Sequence, residues 1–237
     1  MPAERYYYPE SFSEGNCVTL SVREAHHLVK VMRGQQGERV ELVNGKGVLA
    51  TAEVVRIERQ RVELKIEQLH QESESTTQVT LFQAMPRPNR LDTLVEKCTE
   101  LGVDQIVLFP GERSERKQMG EKQLERLRGV AVAAMKQSGR LFLPQLQVAE
   151  PIAKWATFSN PTYVGVFDEQ APHLATCAVA DRACAVVIGP ESGLSSTEQQ
   201  RLLQLGAKGV TLHHNILRTD TAAIVAIAFL SASSNGG

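Results

Sequence analysis

Two neighbouring segments near the C-terminus carry residue types that can hold a small molecule and act on it. Gly189-Pro190-Glu191-Ser192-Gly193-Leu194-Ser195 combines glycines with a carboxylate, and Leu212-His213-His214-Asn215-Ile216-Leu217-Arg218-Thr219-Asp220-Thr221-Ala222 supplies apolar side chains, an arginine and a second carboxylate. Glycine lets a backbone approach a ligand closely, and apolar walls with a few convergent polar groups are the usual composition of a ligand pocket. Several common chemistries are excluded. No P-loop lysine follows the glycine turn, no GxSxG elbow is present, and His213-His214 has no nearby third ligand at metal spacing. A dinucleotide-binding domain would place its glycine-rich turn after its first strand, whereas the turn here comes late in the chain.

These segments need elements to position them, and the flanking patterns supply those. Residues 183–188 are an apolar run that predicts a buried strand, and Ser195 with Glu198 predicts a capping box opening a helix, so the first segment is a strand-to-helix turn. Residues 210–212 predict a short strand, and residues 219–230 a helix rich in alanine, isoleucine and valine. In an open α/β sheet, ligands bind outside the carboxyl ends of the strands, so two adjacent turns of this kind define one candidate pocket. Upstream, strand patterns at 79–85, 105–109, 145–148 and 163–167 alternate with helix patterns at 91–101 and 122–137. Leu91, Leu94, Val95, Cys98 and Leu101 form the stripe of the first of these helices, and Gly102 ends it. This is the rhythm of an α/β domain with a mostly parallel sheet.

Before residue 73 the grammar is different. Residues 38–43 and 48–57 flank Asn44-Gly45, and residues 61–66 alternate with period two, which predicts an antiparallel module. Ser21 and Glu24 predict a capping box for one short helix, whose shared face would hold Val22, Ala25, Val29 and Met32. The expected organisation is a small, partly open β-barrel over 1–72, a polar linker over 73–77 and the α/β domain over 78–237.

Composition sets outer bounds. A chain of 237 residues that is 42% hydrophobic can bury one large core or two modest ones. The net charge of -1 announces no nucleic-acid partner by field alone, yet residues 85–140 hold 11 lysines and arginines against 8 acids. The cysteines at 17, 98, 177 and 184 lack zinc spacing and read as free, mostly buried thiols of a reducing compartment. No signal-peptide pattern opens the sequence, and the longest apolar run, 222–230, is too short to span a bilayer, so a soluble cytoplasmic protein is expected. That run is apolar on every side, so it needs cover beyond one sheet. A two-fold partner contacting Ala223 and Ile227 would supply it, which predicts a homodimer.

The motifs resemble those of a known family. Gly189 to Glu198 (GPESGLSSTE) and Ile216 to Ala222 (ILRTDTA) resemble the signature of the SPOUT, or trefoil-knot, methyltransferases, and within them the RsmE family. Glu96 to Val103 (EKCTELGV), Glu112-Arg113-Ser114, Gln137-Ser138-Gly139-Arg140 and His26 to Arg33 (HHLVKVMR) resemble further family motifs, in the family's order. The resemblance covers nearly the whole chain. It implies an N-terminal PUA-like domain, a knotted C-terminal domain and a homodimer that uses S-adenosylmethionine to methylate N3 of a uridine in 16S ribosomal RNA of the small subunit. The C-terminal loops alone would also permit ribose 2'-O methylation or methylation of a transfer-RNA base, and an RNA-binding or assembly protein of the same fold without catalysis is a further alternative.

By the same resemblance, Gly189, Glu191, Gly193, Leu212, Ile216, Leu217, Arg218 and Thr219 contact the cofactor. Arg218 is the candidate cation for the anion that develops when uracil loses its N3 proton, with Glu191 or Asp220 steering it or moving the proton. Lys30, Arg33, Arg87, Arg113 and Arg140 are candidate RNA contacts, each equally readable as a solvated surface charge. Ordinary alternatives exist for the others too: a tight turn at the glycines, a surface pair of Arg218 with Asp220, an N-cap at Thr219 and packing for the histidines. The chain departs from the family pattern at Ser192 and His213, where glycine is usual, at Asn215, where arginine is frequent, and at Lys136 and Asp220, where glutamate is common.

Overall fold

The computed structural model describes residues 4–59, 61–74, 77–168, 170–177 and 183–232. They fall into two units, the first built from the chain up to Glu74 together with Met135–Leu143, the second from the remainder. Residues 75 and 76 of the expected linker lie outside the described residues.

The first unit contains β1 (Arg5–Tyr7), β2 (Cys17–Thr19), α1 (Val22–His26), β3 (Arg39–Val43), β4 (Val48–Glu58) and β5 (Arg61–Gln71). Its sheet has the order β1-β3-β4-β5-β2, antiparallel except where β1 runs beside β3. The Asn44 side-chain oxygen accepts from the amides of Lys46 (2.8 Å) and Val48 (3.1 Å), and Gly45 and Gly47 take positive φ, which closes the expected hairpin. Strands β1 and β2 carry three residues each, too few to display a period.

The helix differs from expectation in two ways. Ser21 accepts the Glu24 amide at 3.3 Å, but the Glu24 carboxylate does not return to Ser21: it accepts from the Tyr7 amide (3.1 Å) and from Lys136 Nζ (2.8 Å). Beyond α1 the chain widens into a π-helix over His27–Met32, which shifts the side chains off a 3.6-residue period. Ala25 and Leu28 are the buried apolar residues; Met32, at the end of the π-helix, is exposed, and so is Val22, the first residue of α1.

The second unit contains β6 (Val79–Ala84), α2 (Pro88–Glu100), β7 (Gln105–Phe109), α3 (Glu121–Ser138, whose last residues belong to the first unit), β8 (Gln145–Val148), β9 (Thr162–Gly165), β10 (Cys184–Ile188), α4 (Ser196–Gln204), β11 (Lys208–Val210) and α5 (Thr219–Ala232). Its sheet is parallel throughout, in the order β11-β9-β10-β6-β7-β8. Helix α2 begins three residues before the expected start because Pro88 occupies its first turn, where a missing N–H costs nothing. Strand order runs outward through β7 and β8 on one side of β6 and through β10, β9 and β11 on the other. The switch point falls between β6 and β10, and the loops after β10 and β11 leave the same end of the sheet. This is an α/β unit with a six-stranded, wholly parallel sheet.

Helix α5 packs on α2, β6 and β10. Ala223 and Ile227 are already 0% exposed within one chain, so they are not the dimer surface that the sequence suggests. Packing on α2 as well as on the sheet covers more of the helix than the sheet alone, and the half-buried apolar residues are Ala222, Ile224, Val225, Ala228 and Phe229. The cysteines are free. Cys98 and Cys184 are buried, but Cys17 is exposed and Cys177 half-buried, because Cys17 lies on the outward face of the short β2. Burial pushes the Cys98 thiol up to about 12 and the Cys184 thiol to about 11. Among the described residues, no helix is long and apolar enough to cross a membrane.

Candidate active site

The first loop is built around two glycines. At Gly189 a Cβ would meet the Leu194 amide nitrogen at 3.0 Å and Leu194 Cγ at 3.1 Å, so the turn closes only without a side chain there. Gly193 has φ +72°, a left-handed conformation that favours glycine, and its amide donates to Pro190 O at 2.8 Å. The loop ends in the complete capping box: Ser195 Oγ accepts from the Glu198 amide (3.1 Å) and Glu198 Oε2 accepts from the Ser195 amide (2.9 Å). Glu198 Oε1 also accepts the Glu112 amide at 2.9 Å, which ties the 112–114 segment to α4.

The second loop is fastened to the first by Thr219. Its hydroxyl donates to Gly189 O at 2.7 Å and accepts from Gln83 Nε2 at 2.9 Å. The hydroxyl is thus committed across the two loops. Gln83 is fully buried and links the end of β6 to both. Sequence reading did not single it out, although a glutamine inside the apolar run of β6 was a usable signal.

Both loops open on one cavity of about 510 Å³, and all eight expected cofactor residues line it: Gly189, Glu191, Gly193, Leu212, Ile216, Leu217, Arg218 and Thr219. Gly165, Val166 and Phe167, at and beyond the end of β9, complete the wall. Phe167 and Ile216 are apolar yet 77% and 83% exposed, an open rim. Arg113 also lines the cavity, and its segment clasps the first loop: Ser192 Oγ donates to Arg113 O at 2.9 Å, and Arg113 Nη1 donates to Ser192 O at 3.4 Å.

The charged groups are arranged differently from expectation. Glu191 and Asp220 do not steer Arg218, nor does Arg218 pair with Asp220. Both carboxylates face Arg90, in the first turn of α2: Nη1 donates to Asp220 Oδ1 at 2.9 Å, and Nε lies 3.6 Å from Glu191 Oε1. The Arg218 guanidinium is exposed and, among the described residues, makes no hydrogen bond or ion pair. Arg90 was legible in retrospect, since a cation in the first turn of a helix opposes the helix dipole and implies a nearby anion.

Lys30 and Arg33 are exposed, Arg33 in the left-handed conformation that ends the π-helix. Both lie in the first unit with the half-buried Arg140, whereas Arg87 and Arg113 lie in the second. Arg87 pairs with Glu115, through Nε at 3.0 Å. His213 and His214 stack on each other with ring centroids 4.1 Å apart, and the Asn215 amide donates to His213 Nδ1 at 3.0 Å.

A late glycine turn meeting a second loop at the switch point of a parallel sheet is the arrangement that the resemblance to SPOUT-type methyltransferases implies, and comparison with known proteins places the chain in that class. Residues 73–231 match the family model of the RNA methyltransferase domain and residues 20–67 that of the RNA methyltransferase PUA domain, and the chain belongs to this RNA methyltransferase family, in its RsmE branch. It is 25% identical to ribosomal RNA small subunit methyltransferase E of Bacillus subtilis, over 96% of each chain. It is 28% identical to the protein of the same name from Mycobacterium bovis, over 96% of this chain and 90% of that one. Among solved structures it resembles the Neisseria gonorrhoeae ribosomal RNA small subunit methyltransferase E bound to S-adenosylmethionine, with TM-score 0.86, 28% identity and 98% of each chain covered. A Legionella pneumophila methyltransferase, also in complex with S-adenosylmethionine, matches with TM-score 0.89 and 26% identity over 99% of each chain.

Proposed function

We propose that the protein transfers the methyl group of S-adenosylmethionine to N3 of a specific uridine in 16S ribosomal RNA of the small subunit. The observation that carries this reading is the convergence of both signature loops on one cavity of about 510 Å³. That volume lies in the range of small-ligand sites, roughly 300–1,000 Å³. The cavity suits the cofactor in kind as well: Leu212, Leu217 and Ile188 offer an apolar wall for an adenine, and the glycine turns offer close backbone approach. The departures at Ser192 and His213 leave it open, since the serine hydroxyl is spent on Arg113 O and the histidine packs on His214.

S-adenosylmethionine, when bound, supplies a sulfonium methyl that the uracil N3 electron pair takes as the carbon–sulfur bond breaks onto sulfur. The chain's own contribution is to hold uracil against that methyl and to manage the N3 proton. The Arg218 guanidinium at the cavity, without a partner among the described residues, can meet the negative charge that develops on the uracil imide. Glu191, also at the cavity, is a candidate proton acceptor. Lys30, Arg33, Arg87, Arg113 and Arg140 remain the candidate RNA contacts, with Arg87 required to exchange Glu115 for phosphate. The protein works in the cytoplasm as a homodimer, with a second copy covering Ile224, Val225, Ala228 and Phe229 of α5.

Mass mapping of modified nucleosides in ribosomal RNA from cells with and without the gene tests the activity: one 3-methyluridine in 16S RNA should vanish with the gene. A lost methyl at a ribose, or in transfer RNA, would redirect the reading to another activity of the fold. Light scattering at low micromolar concentration tests the dimer, and an active monomer of 26.1 kDa would refute it.

A further inference from the structure

We infer that Arg90 is a positioning residue of the methyl transfer: it fixes Glu191 at the cavity as the group that takes the uracil N3 proton, with Asp220 serving as its anchor. The inference rests on the uridine-N3 reading above and ranks two carboxylates that the sequence could not separate. Glu191 lines the cavity and Asp220 does not. Asp220 is engaged by a direct hydrogen bond, Arg90 Nη1 to Oδ1 at 2.9 Å. Glu191 is held by one oxygen only: Oε1 accepts the Arg87 amide at 3.1 Å and faces Arg90 Nε at 3.6 Å. Among the described residues Oε2 makes no hydrogen bond, so it is available to a substrate proton.

The asymmetry matters during the reaction. The three side chains are only 20%, 28% and 18% exposed for Arg90, Glu191 and Asp220, and Arg90 Nε is buried without a hydrogen-bond partner. A buried cation that lost its sole anion would be strongly destabilised. When the N3 proton passes to Glu191 Oε2, the electron pair stays on N3 to form the bond to the methyl carbon, and Glu191 becomes neutral. Arg90 nevertheless keeps Asp220 as its anion. The fixed pair lets Glu191 gain and return a proton without rearranging the site, and it ties the first loop and the start of α5 to one helix, α2.

The test uses the full chain, with small subunits from cells lacking the gene as substrate. Cofactor affinity is measured by calorimetry and methyl transfer by single turnover. Arg90→Gln should bind S-adenosylmethionine within about threefold of wild type while transfer slows about 100-fold, the cost of a roughly 1 Å misplacement. Arg90→Lys, which keeps the charge but not the fork, should recover part of that loss. Glu191→Gln should slow transfer by roughly 10²–10⁴-fold, and Arg90→Gln/Glu191→Gln should be no slower than Glu191→Gln, because one residue acts through the other. Asp220→Asn retains an acceptor for Nη1 but leaves Arg90 without an anion once Glu191 is protonated, so transfer should slow by at least about tenfold. If Arg90→Gln does not fold, Arg90→Lys alone and with Glu191→Gln closes the same cycle. Wild-type transfer in Arg90→Gln, or losses that multiply in the double variant, would overturn the inference. A wild-type protein that methylates a different RNA position refutes the uridine reading instead, and the cycle is then run at that position.

Discussion

Replacing Thr219 with valine removes the hydroxyl that joins the two loops while keeping the shape of the side chain. That hydroxyl donates to Gly189 O at 2.7 Å and accepts from Gln83 Nε2 at 2.9 Å. Thr219 is 5% exposed and Gln83 0%, so water does not step in. The loss is only partly compensated. Gln83 Nε2 keeps its bond to Ala84 O at 2.9 Å, but Gly189 O is left with the long 3.4 Å contact from Gln83. A fully orphaned buried group costs about 1–3 kcal/mol, so one largely orphaned carbonyl and one weakened amide amount to about 2 kcal/mol. For a chain of this length that is a fall of about 4–8 °C in melting temperature. Thr219→Ser keeps the hydroxyl and loses one buried methyl, about 0.8 kcal/mol. Scanning calorimetry should therefore rank wild type above serine above valine. Cofactor affinity should fall in valine and hold in serine, because Gly189 and Thr219 both line the cavity. A valine variant as stable as the serine one would refute the hydrogen-bond argument.

Arg218→Ala should bind S-adenosylmethionine normally yet lose about 10²–10³-fold in methyl transfer, and wild-type turnover would remove Arg218 from the chemistry. A Cβ at Gly193 would meet nothing within 4 Å, but Gly193→Val must hold φ +72°, a strain of about 1–3 kcal/mol; calorimetry should show cofactor binding lost before the fold, and unimpaired binding would refute the role of that turn. Cys98 and Cys184, whose thiols burial raises to about 12 and about 11, stay protonated at pH 8 and should resist maleimide until denaturant is added, whereas Cys17 is exposed; native labelling at Cys98, read by peptide mass, would contradict this. Lys136→Met leaves Glu24 buried without its cation and should destabilise the first unit by about 3–5 kcal/mol in thermal unfolding with cofactor binding intact; an unchanged melting profile would show the pair to be dispensable.

The legible part of the site was that carried by chain-local pattern. The uninterrupted apolar run of β10, the Ser195–Glu198 capping box and the late glycine turn each follow from neighbours in sequence, and all appear as expected. The eight expected cofactor residues meet at one cavity because both loops leave the same end of a parallel sheet. Partner choice among charges was not legible. Arg218 sits beside Asp220 in sequence, yet Asp220 pairs with Arg90 across 130 positions, because helix α5 turns that carboxylate toward α2. Gln83 and Thr219 are 136 positions apart and meet only in the fold. The π-helix defeated the 3.6-residue stripe at Met32 for a local reason that no single residue type announces.

The same distinction applies to where the chain divides. The change of grammar near residue 75 predicts a module over 1–72, a linker over 73–77 and a domain over 78–237, and every residue that lines the cavity, from Arg113 to Ala222, lies in the second unit. Residues 135–143, however, belong with the first unit: the fully buried Met135 packs with Val43 and Leu141, and Lys136 holds Glu24 at 2.8 Å. Glu24 is 6% exposed and, among the described residues, otherwise accepts only the Tyr7 amide. A cut at the expected linker therefore costs the two pieces unequally. The C-terminal piece keeps its whole cavity and releases a short apolar and cationic segment to solvent, whereas the N-terminal piece is left with a buried carboxylate lacking its cation and an uncovered patch beside Val43. The PUA-like unit is the dependent partner, because a small sheet with few buried positions borrows core from a distant stretch of chain that its own pattern gives no reason to expect.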